Sequence, residues 1–536
     1  MPIRVSNIRL GVTESELTLS EHLARIFSIK PQDIIHWRIL RKSLDARDAD
    51  DLAFVYALEV HLQEKESEAI ERVNRRHRQI RADWYEETPF RLPKPGQQSL
   101  NHRPVIVGSG PGGLAAAYFL AMAGYQPLVL ERGAPVSQRI RDVAAFDAGG
   151  PHNPESNYLF GEGGAGTFSD GKLTYRGSGP DVRRILEMYA ECKGKPSIVY
   201  EHRPHLGSNR LPAVVKAQRQ RIEAMGGEIR FHCRMEEIDL ANGQVQGLCT
   251  SSGYIPAEVV ILAIGHSARD TYRMLMAKGV PLVSKAFQLG LRIEQPQEAV
   301  NRHCYGSQRL EDLLGAAQYA VIAKGNGIDV FSFCMCAGGY VMPSVSAPGA
   351  FCTNGMSLSK HDSPFANSGL VATLEPSQFG SEHPLAGMLL QEKFEQIAFH
   401  LGRQEYRCPI QWAKDYLQER SSHGSLPSSY PRGVVAADLH AVLPPAIAKA
   451  IQQALPLMNR KWEGRFLENA TLVGPEARGS APIRIMRDDV SRTSPEWQGL
   501  YPVGEGAGYA GGIVSAAVDG LRSAMAIIQR YAPLQH

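Results

Sequence analysis

The hydrophobic and polar positions of residues 105–131 follow the order of a β-α-β unit. A short apolar run at residues 105–107 enters a glycine sequence that begins at Gly108, and an alanine-rich segment of helical character follows. A second apolar run, at residues 127–130, ends at Glu131. Short apolar runs bounded by glycine are typical of buried parallel strands, so the pattern predicts strand, helix and strand in that order.

The turn between the first strand and the helix has the G-x-G-x-x-G spacing of dinucleotide-binding loops. Gly108 permits a tight turn, Gly110 lets the backbone approach a pyrophosphate, and Gly113 lets the helix pack closely on the strand. The helix N-terminus offers free N–H groups to the phosphates. Glu131 would accept hydrogen bonds from a ribose 2′-hydroxyl and repel a 2′-phosphate. The contacts predicted for this half are Gly108, Gly110, Gly112, Gly113, Glu131 and Arg132.

The far end of the chain favours FAD over NAD as the dinucleotide. Residues 499–513 predict a short strand, a Gly-Glu-Gly turn and a glycine-rich helix start. This order resembles flavoproteins shaped like glutathione reductase, in which an acid at this turn holds the ribityl chain and the next helix faces the flavin pyrimidine edge. Residues 259–264 add a third apolar run, which alone is equally well an ordinary buried strand. The contacts predicted for the flavin half are Gly265, Gly504, Glu505, Gly511, Gly512 and Ile513.

The same periodicities divide the 536 residues into four predicted parts. Residues 1–97 alternate as β-α-β-β, with a charged helix at 66–81, and predict a small N-terminal α+β domain. Residues 98–285 and 456–536 supply the two parts of a Rossmann-type FAD-binding domain. Residues 286–455 form an α+β substrate domain inserted between them. The predicted fold is therefore α/β, with a glutathione reductase-like FAD domain.

Composition narrows the class of protein further. Hydrophobic residues make up 43% and charged residues 21% of the chain, and the net charge of +3 gives no argument for nucleic acid. We expect no membrane span and no signal peptide, because no apolar stretch is long enough. The eight cysteines show no zinc spacing, so we expect a reducing, cytoplasmic compartment and no metal. The oligomeric state stays open.

A second glycine-rich loop at residues 158–173 is a candidate to lie flat against a ligand. Ser169, Asp170 and Lys172 add polar groups, and a lysine near a flavin would stabilise the anionic reduced ring or bind an acidic substrate. The alternative is a mobile surface loop. The residues predicted to contact the cofactor here are Gly163, Gly164, Ala165, Gly166, Ser169, Gly171 and Lys172.

Cys334 and Cys336 lie two positions apart in an apolar run. On a straight strand both would point to one face, with sulfurs about 7 Å apart and poorly placed for a disulfide unless the strand bends. Two small buried hydrophobes are the favoured interpretation, and a thiol pair facing the flavin is the alternative. His266 follows the 259–264 strand and is a candidate acid/base or flavin contact, with a structural role equally open.

Two further patterns bear on partners. Gly325 and Gly327 lack the third glycine and the helix of a second dinucleotide motif, so NAD(P)H, as a transient reductant, would have to enter the substrate cleft itself. The basic run at residues 75–81 follows several glutamates. A solvated helix is favoured there over a nucleic-acid contact.

The longer motifs resemble the bacterial and plastid family named uncharacterised FAD-dependent dehydrogenases, within the glutathione reductase-like superfamily. The resemblance covers nearly the whole chain and implies FAD, a redox role, and Cys334 and Cys336 in the active site. Three places depart from the family pattern: Ala337 replaces a proline, Gly479 and Ala481 replace hydroxyl residues after Arg478, and Ser208-Asn209 replaces Thr-Asp. The motifs are residues 161–173 (GEGGAGTFSDGKL), 265–271 (GHSARDT), 333–339 (FCMCAGG), 354–357 (NGMS) and 504–513 (GEGAGYAGGI).

The sequence therefore predicts a FAD-dependent oxidoreductase that transfers hydride between flavin N5 and an unidentified small-molecule substrate. Lys172, His266, Cys334 and Cys336 are the candidate catalytic residues. Two alternatives remain: a flavin-dependent RNA-modifying enzyme, and a non-catalytic FAD-binding partner protein.

Overall fold

The computed structural model describes residues 1–46, 48, 51–63, 65–324 and 327–534, so Gly325 of the incomplete glycine motif lies outside the described residues. The strands are β1 (Ile3–Gly11), β2 (Ile34–Asp45), β3 (Ala53–Leu62), β4 (Arg81–Trp84), β5 (Val105–Val107), β6 (Leu128–Leu130), β7 (Glu228–Arg230), β8 (Met235–Ala241), β9 (Gln244–Thr250), β10 (Gly253–Pro256), β11 (Val260–Leu262), β12 (Leu282–Ser284), β13 (Phe287–Pro296), β14 (Ile322–Ala323), β15 (Val330–Cys336), β16 (Gly339–Pro343), β17 (Thr353–Ser357), β18 (Phe365–Leu374), β19 (Cys408–Trp412), β20 (Val434–Ala436), β21 (Thr471–Glu476), β22 (Ile483–Ile485) and β23 (Leu500–Pro502). The helices are α1 (Leu19–Phe27), α2 (Glu66–Arg76), α3 (Pro111–Met122), α4 (Val136–Asp147), α5 (Pro180–Glu191), α6 (Leu211–Ala224), α7 (Arg269–Ala277), α8 (Gln297–Tyr305), α9 (Gln308–Leu314), α10 (Ala386–Leu401), α11 (Ala413–Leu417), α12 (Pro445–Lys461) and α13 (Ile513–Arg530).

The N-terminal part is an antiparallel sheet in the order β2-β3-β1-β4 that shares one apolar core with α1 and α2. The β-α-β-β-α-β order is that of a ferredoxin-like unit. The apolar alternation of β1 and β3 supplies the buried face of the sheet. The helix predicted over residues 66–81 is too long: it ends at Arg76, and Arg81–Trp84 forms the strand β4. This short strand carries too few apolar residues to be recognised from its pattern.

A five-stranded parallel sheet in the order β23-β11-β5-β6-β7 is built from four distant segments of the chain. Helix α3 connects β5 to β6, as the sequence predicted. A Cβ atom at Gly113 would lie 1.9 Å from the Gly108 carbonyl oxygen, and one at Gly520 of α13 would lie 2.0 Å from the Gly112 carbonyl oxygen. Only glycine therefore allows α3 to approach both the β5 turn and α13 this closely. The fold is mixed α/β with a Rossmann-like parallel sheet.

A seven-stranded sheet in the order β14-β15-β18-β13-β21-β19-β20 forms the third part of the molecule. Its centre is the long antiparallel pair of β13 and β18, and α10 and α12 contribute to the apolar core that covers it. Strand β21 pairs with both β13 and β19. The predicted boundary at residue 455 is therefore placed too early with respect to this sheet, because a buried apolar strand does not reveal which sheet it joins.

A buried ion-pair cluster ties the seven-stranded sheet to the parallel sheet. The Glu395 carboxylate on α10 accepts hydrogen bonds from Arg269 at 2.7 and 2.8 Å and from Arg478 at 3.0 and 3.0 Å. Arg269 begins α7, which follows β11, whereas Arg478 follows β21. All three residues are buried. The cluster therefore connects the two sheets and fixes their relative position.

The described residues lack a membrane-spanning helix, a metal-binding cluster and disulfides. None of their helices has both the length and the apolar character needed to cross a membrane. No group of three or more His, Cys, Asp or Glu side chains within the described ranges is arranged to hold a metal ion. All eight cysteines are free thiols.

Candidate active site

A cleft with a volume of about 430 Å³ opens where the parallel sheet, the glycine loops and β15 meet. Its size is within the range of ligand pockets, about 300–1,000 Å³. The residues that line it come from segments that are more than 400 positions apart in the chain. The predicted site residues that line it are Gly108, Gly110, Gly112, Glu131, Arg132, Gly164, Ala165, Gly166, Ser169, Gly171, Lys172, Gly265, His266, Cys334, Gly504, Glu505, Gly511, Gly512 and Ile513.

Three predicted site residues do not line the cleft. Gly113 is needed for packing against the Gly108 turn, as described above. Gly163 has a φ of +84°, and a Cβ atom there would lie 2.0 Å from the Thr167 hydroxyl oxygen, so its role is to shape the loop. Cys336 is fully buried and lies behind Cys334.

Gly110 and Gly511 indicate that the cleft is shaped for a ligand. Neither has a left-handed backbone, and a Cβ atom on either would meet nothing within 4 Å. Among the described glycines, only these two combine both properties, so neither packing nor backbone conformation requires glycine there. Both line the cleft. A ligand in van der Waals contact with the backbone explains why a side chain is absent at these positions.

Two helix starts also face the cleft. Helix α3 begins after Gly110 and α13 begins after Gly512, and no side chain caps either end. Neither helix carries an acidic residue in its first turn. Their first N–H groups and positive dipole ends are thus available to an anionic or electron-rich ligand group.

Glu131 holds three backbone segments together at the edge of the cleft. One carboxylate oxygen accepts hydrogen bonds from the Ser109 N–H at 3.0 Å and the Ser109 hydroxyl at 2.6 Å. The other accepts from the N–H groups of Gly133 at 2.8 Å and Gly161 at 3.1 Å. Its neighbour Arg132 is held by Glu155 at 2.7 Å and lies over the Phe160 ring. Glu131 therefore positions both glycine loops in addition to facing the cleft.

The second glycine loop is fixed by Arg139, a residue that the sequence analysis missed. Its guanidinium is fully buried and donates to the carbonyl oxygens of Asn157, Gly161, Glu162 and Gly164 at 2.8–3.3 Å. Burial lowers the pKa of Arg139 to about 9, against the opposing effect of nearby carboxylates. These bonds hold residues 157–164 against Arg139, as expected of a loop that forms a wall of the cleft. Only the fold brings α4 beneath this loop, so no local sequence signal marks Arg139.

The Gly504 turn is anchored from behind by Asp519, which the sequence analysis also missed. The Gly504 N–H donates to Asp519 at 2.7 Å, and Arg487 forms a bidentate ion pair with the same carboxylate. In front of the turn, the Glu505 carboxylate lies 3.3 Å from His266 Nδ1. The other ring nitrogen of His266 is buried with no partner among the described residues. His266 thus presents an unsatisfied polar atom beside the cleft, as expected of a group that binds a ligand.

Lys172 and Cys334 line another part of the cleft, and the buried Cys336 lies next to Cys334. Lys172 Nζ donates to the Met335 carbonyl oxygen and lies 3.0 Å from Asp170. Burial opposes its charge, but the sulfurs of Cys334 and Cys336 and the carboxylate of Asp170 raise the pKa of Lys172 above its usual value. Lys172 is therefore a fixed cation beside the thiols.

Asp170 connects Lys172 to a histidine that the sequence analysis missed. Asp170 is buried and lies 3.6 Å from His205 Nε2. Burial would raise the pKa of Asp170, but the contact with His205 and the charge of Lys172 lower it well below its usual value. The His205 ring lies 4.4 Å from the ring of His361. The carboxylate is thus ionised and holds the lysine in place.

Replacing Lys172 by methionine is expected to raise the pKa of the Cys334 thiol, because the nearest cation is lost. An increase of about one unit would slow alkylation by iodoacetamide about tenfold at pH values well below the pKa of the thiol, where the thiolate fraction falls in that proportion. The rate is followed on the Cys334 peptide by mass spectrometry across a pH series. Lys172→Arg keeps the charge and is the matched control. Identical pH profiles for the two variants would show that the lysine charge does not act on Cys334.

Two arginines near the cleft, Arg478 and Arg484, differ in position. Arg478 lines the cleft, but its guanidinium is occupied by Glu395 and by the Ser267 hydroxyl at 2.7 Å. Arg484 does not line the cleft and lies over the Tyr509 ring, 5.1 Å from its centroid. Neither is a free cation at the ligand site.

Comparisons with known proteins agree with the motifs of this cleft. Residues 286–479 match the family described as FAD-dependent protein, C-terminal domain-like, and residues 106–167 match the NAD(P)-binding Rossmann-like domain. Residues 2–61 match a domain of unknown function. An uncharacterized protein of Clostridium beijerinckii (strain ATCC 51743 / NCIMB 8052) is 38% identical over 535 residues, 99% of each chain. The chain therefore belongs to this family of FAD-dependent proteins, as the motifs predicted.

Similar solved structures are more distant. L-proline dehydrogenase from P. horikoshii is 13% identical, with 80% of this chain and 93% of that chain covered and a TM-score of 0.35. Glycine oxidase from Bacillus cereus ATCC 14579 is 11% identical, with 80% and 95% covered and a TM-score of 0.31.

Proposed function

We propose that this protein is a FAD-dependent oxidoreductase that transfers hydride between flavin N5 and a small-molecule substrate in the cleft. The observation that carries the proposal is the meeting of both glycine loops, both uncapped helix starts and Lys172, His266 and Cys334 around one cleft. Bound FAD would supply the two-electron chemistry, and the protein would orient the substrate and set the electrostatics.

The residues present fit FAD in the extended, glutathione reductase-like arrangement that the motifs predict. Glu131 and the Gly108 turn would hold the adenosine half, with the diphosphate at the α3 N-terminus. Glu505 would hold the ribityl chain, and the α13 N-terminus would face the pyrimidine edge. Lys172 keeps a positive charge in another part of the cleft, and His266 presents a nitrogen that can hold or accept a proton.

The first experiment is an anaerobic titration of the purified protein with NADPH and then NADH, followed by visible absorbance. Bleaching of the bound flavin would identify a nicotinamide-driven reductase in which NAD(P)H enters the same cleft. A flavin that stays oxidised with both would identify either a dehydrogenase reduced by its own substrate or the non-catalytic alternative. If a small-molecule substrate then bleaches the flavin, the protein is a dehydrogenase and the non-catalytic alternative is excluded.

Replacing Glu131 by alanine is expected to weaken FAD retention. The variant loses the ribose contacts, worth about 1.5–3 kcal/mol each for hydrogen bonds to a charged group. It also frees the N–H groups of Ser109, Gly133 and Gly161. A loss of about 3 kcal/mol corresponds to about 100-fold weaker binding. Flavin occupancy is measured after gel filtration. An unchanged occupancy would show that Glu131 does not bind the ribose.

A further inference from the structure

Strand β15 is not straight where its two cysteines lie. Phe333 pairs with Gly369 and Cys336 pairs with Asn367, so three steps along β15 oppose two steps along β18. Cys334 has a φ of +44°, a left-handed conformation that is uncommon for a residue with a side chain. A bulge of this kind bends the strand and re-aims its side chains. The expectation for a straight strand therefore does not apply here, because the strand bends between its two cysteines.

The bulge brings the two thiols together. The Cys336 sulfur lies 3.3 Å from the Cys334 carbonyl oxygen, so the bend turns the Cys336 thiol back towards Cys334. Arg292 holds the bend by donating to the same carbonyl at 3.3 Å, and a bidentate ion pair with Glu476 fixes Arg292 in turn. The bend is therefore supported by side chains from β13 and β21.

The two cysteines differ in burial and in the direction of their pKa shifts. Cys334 lines the cleft, whereas Cys336 is completely buried behind it. The hydrogen bond from Cys336 and the charge of Lys172 lower the pKa of Cys334 against the effect of burial, and the pKa of Cys336 is raised. A cleft-lining thiol with a lowered pKa next to a buried thiol with a raised pKa is the arrangement of an attacking and a resolving cysteine.

Five of the other six cysteines are buried or partly buried, and Cys233 is the one among them that lines the cleft. Cys192, Cys352 and Cys408 are buried, and burial raises the pKa of each thiol. Cys304 is exposed and does not line the cleft. Cys304 therefore provides a control thiol in the same part of the chain.

We propose that Cys334 and Cys336 form a dithiol–disulfide couple that exchanges two electrons with the flavin in the cleft. This inference rests on the proposed function, because the flavin is the oxidant. In the forward direction a sulfur–sulfur bond forms between the Cys334 thiolate and the Cys336 thiol, the S–H bond of Cys336 breaks, and two electrons and that proton pass to oxidised flavin. The products are the disulfide and the anionic reduced flavin, and the reverse reaction restores the Cys334 thiolate and the Cys336 thiol.

The first test detects the disulfide itself. The purified flavin-containing protein is equilibrated with oxidised or reduced dithiothreitol, its free thiols are alkylated, and its peptides are analysed by mass spectrometry. We expect Cys334 and Cys336 to lose alkylation together in the oxidising buffer and to regain it in the reducing one. Cys304 is expected to stay alkylated in both. Full alkylation of Cys334 and Cys336 under oxidising conditions would overturn the couple.

The second test detects the exchange with flavin. In an anaerobic dithionite titration of oxidised protein, the wild type is expected to take up twice as many electrons per flavin as Cys336→Ser. Cys334→Ala is expected to behave like Cys336→Ser, and Cys304→Ser like the wild type. Equal uptake in all four proteins, with the flavin fully reduced, would overturn the couple and leave the proposed function intact. A protein that binds no flavin would overturn both.

Discussion

The Glu395→Ala variant is expected to be severely destabilised. Burial would raise the pKa of Glu395, but Arg269 and Arg478 lower it to about 2, so the carboxylate is ionised between two buried guanidiniums. Removing one partner of a buried ion pair costs about 3–5 kcal/mol, because the remaining charge is left uncompensated. Here two arginines lose their partner at once. We expect a large drop in the thermal midpoint, measured by circular dichroism.

Glu392→Ala is the matched control on the same helix. Glu392 pairs with Arg273 at 2.7 Å near the surface, where such pairs contribute at most about 1 kcal/mol. It lies 4.0 Å from Arg269 of the cluster, which is too far for a hydrogen bond. Its thermal midpoint is expected to lie close to that of the wild type. If both variants melted at the same temperature, the buried cluster would not be the link between the two sheets.

Low pH is expected to weaken the ion pairs of Glu395 with Arg269 and Arg478. The folded-state pKa of Glu395, about 2, is lower than the ordinary value of 4.5. The stability that this carboxylate contributes is therefore fully present above about pH 4.5 and is lost as the pH falls towards 2. The contribution is measured by comparing the thermal midpoints of wild type and Glu395→Gln as the pH falls from about 4.5 towards 2.

Gly110→Val is expected to lose FAD while the flavin-free protein remains stable. No protein atom lies within 4 Å of a Cβ atom built at Gly110, and its φ of −69° suits valine. Replacing glycine at a helix N-cap costs about 1 kcal/mol at most. The new side chain would occupy the path of the diphosphate, so we expect at least about 100-fold weaker binding, equivalent to about 3 kcal/mol.

Thermal melting of the flavin-free protein separates a folding defect from a binding defect in Gly110→Val. Wild type and variant are expected to melt within a few degrees of each other without flavin, and only the wild type is expected to gain stability when FAD is added. A variant that is stabilised by FAD as strongly as the wild type would show that Gly110 does not contact the cofactor.

The local parts of the fold were predictable because they depend on neighbouring residues. The apolar runs around Gly108 and the glycine turn at 504–513 each determine a strand, a turn and a helix start within about 25 residues. These segments are the ones that line the cleft. The family followed from the same motifs and is confirmed by the relative and the family model.

The supports of the site could not be predicted because they depend on distant residues. Arg139 binds carbonyl groups of a loop on another element, and Glu395 joins arginines that lie 126 and 83 positions away. The register shift in β15 is set by pairing with β18 and by the buried Arg292. Periodicity assumes a straight strand and carries no information about such contacts.

The flavin content of the purified protein tests the central claim most directly. The protein is denatured, the released cofactor is identified by chromatography, and its amount is compared with that of the chain. The account predicts FAD in a one-to-one ratio with the chain, or recovery of that ratio when flavin-free protein is incubated with FAD. A protein that carries no flavin and cannot be reconstituted with FAD would contradict it.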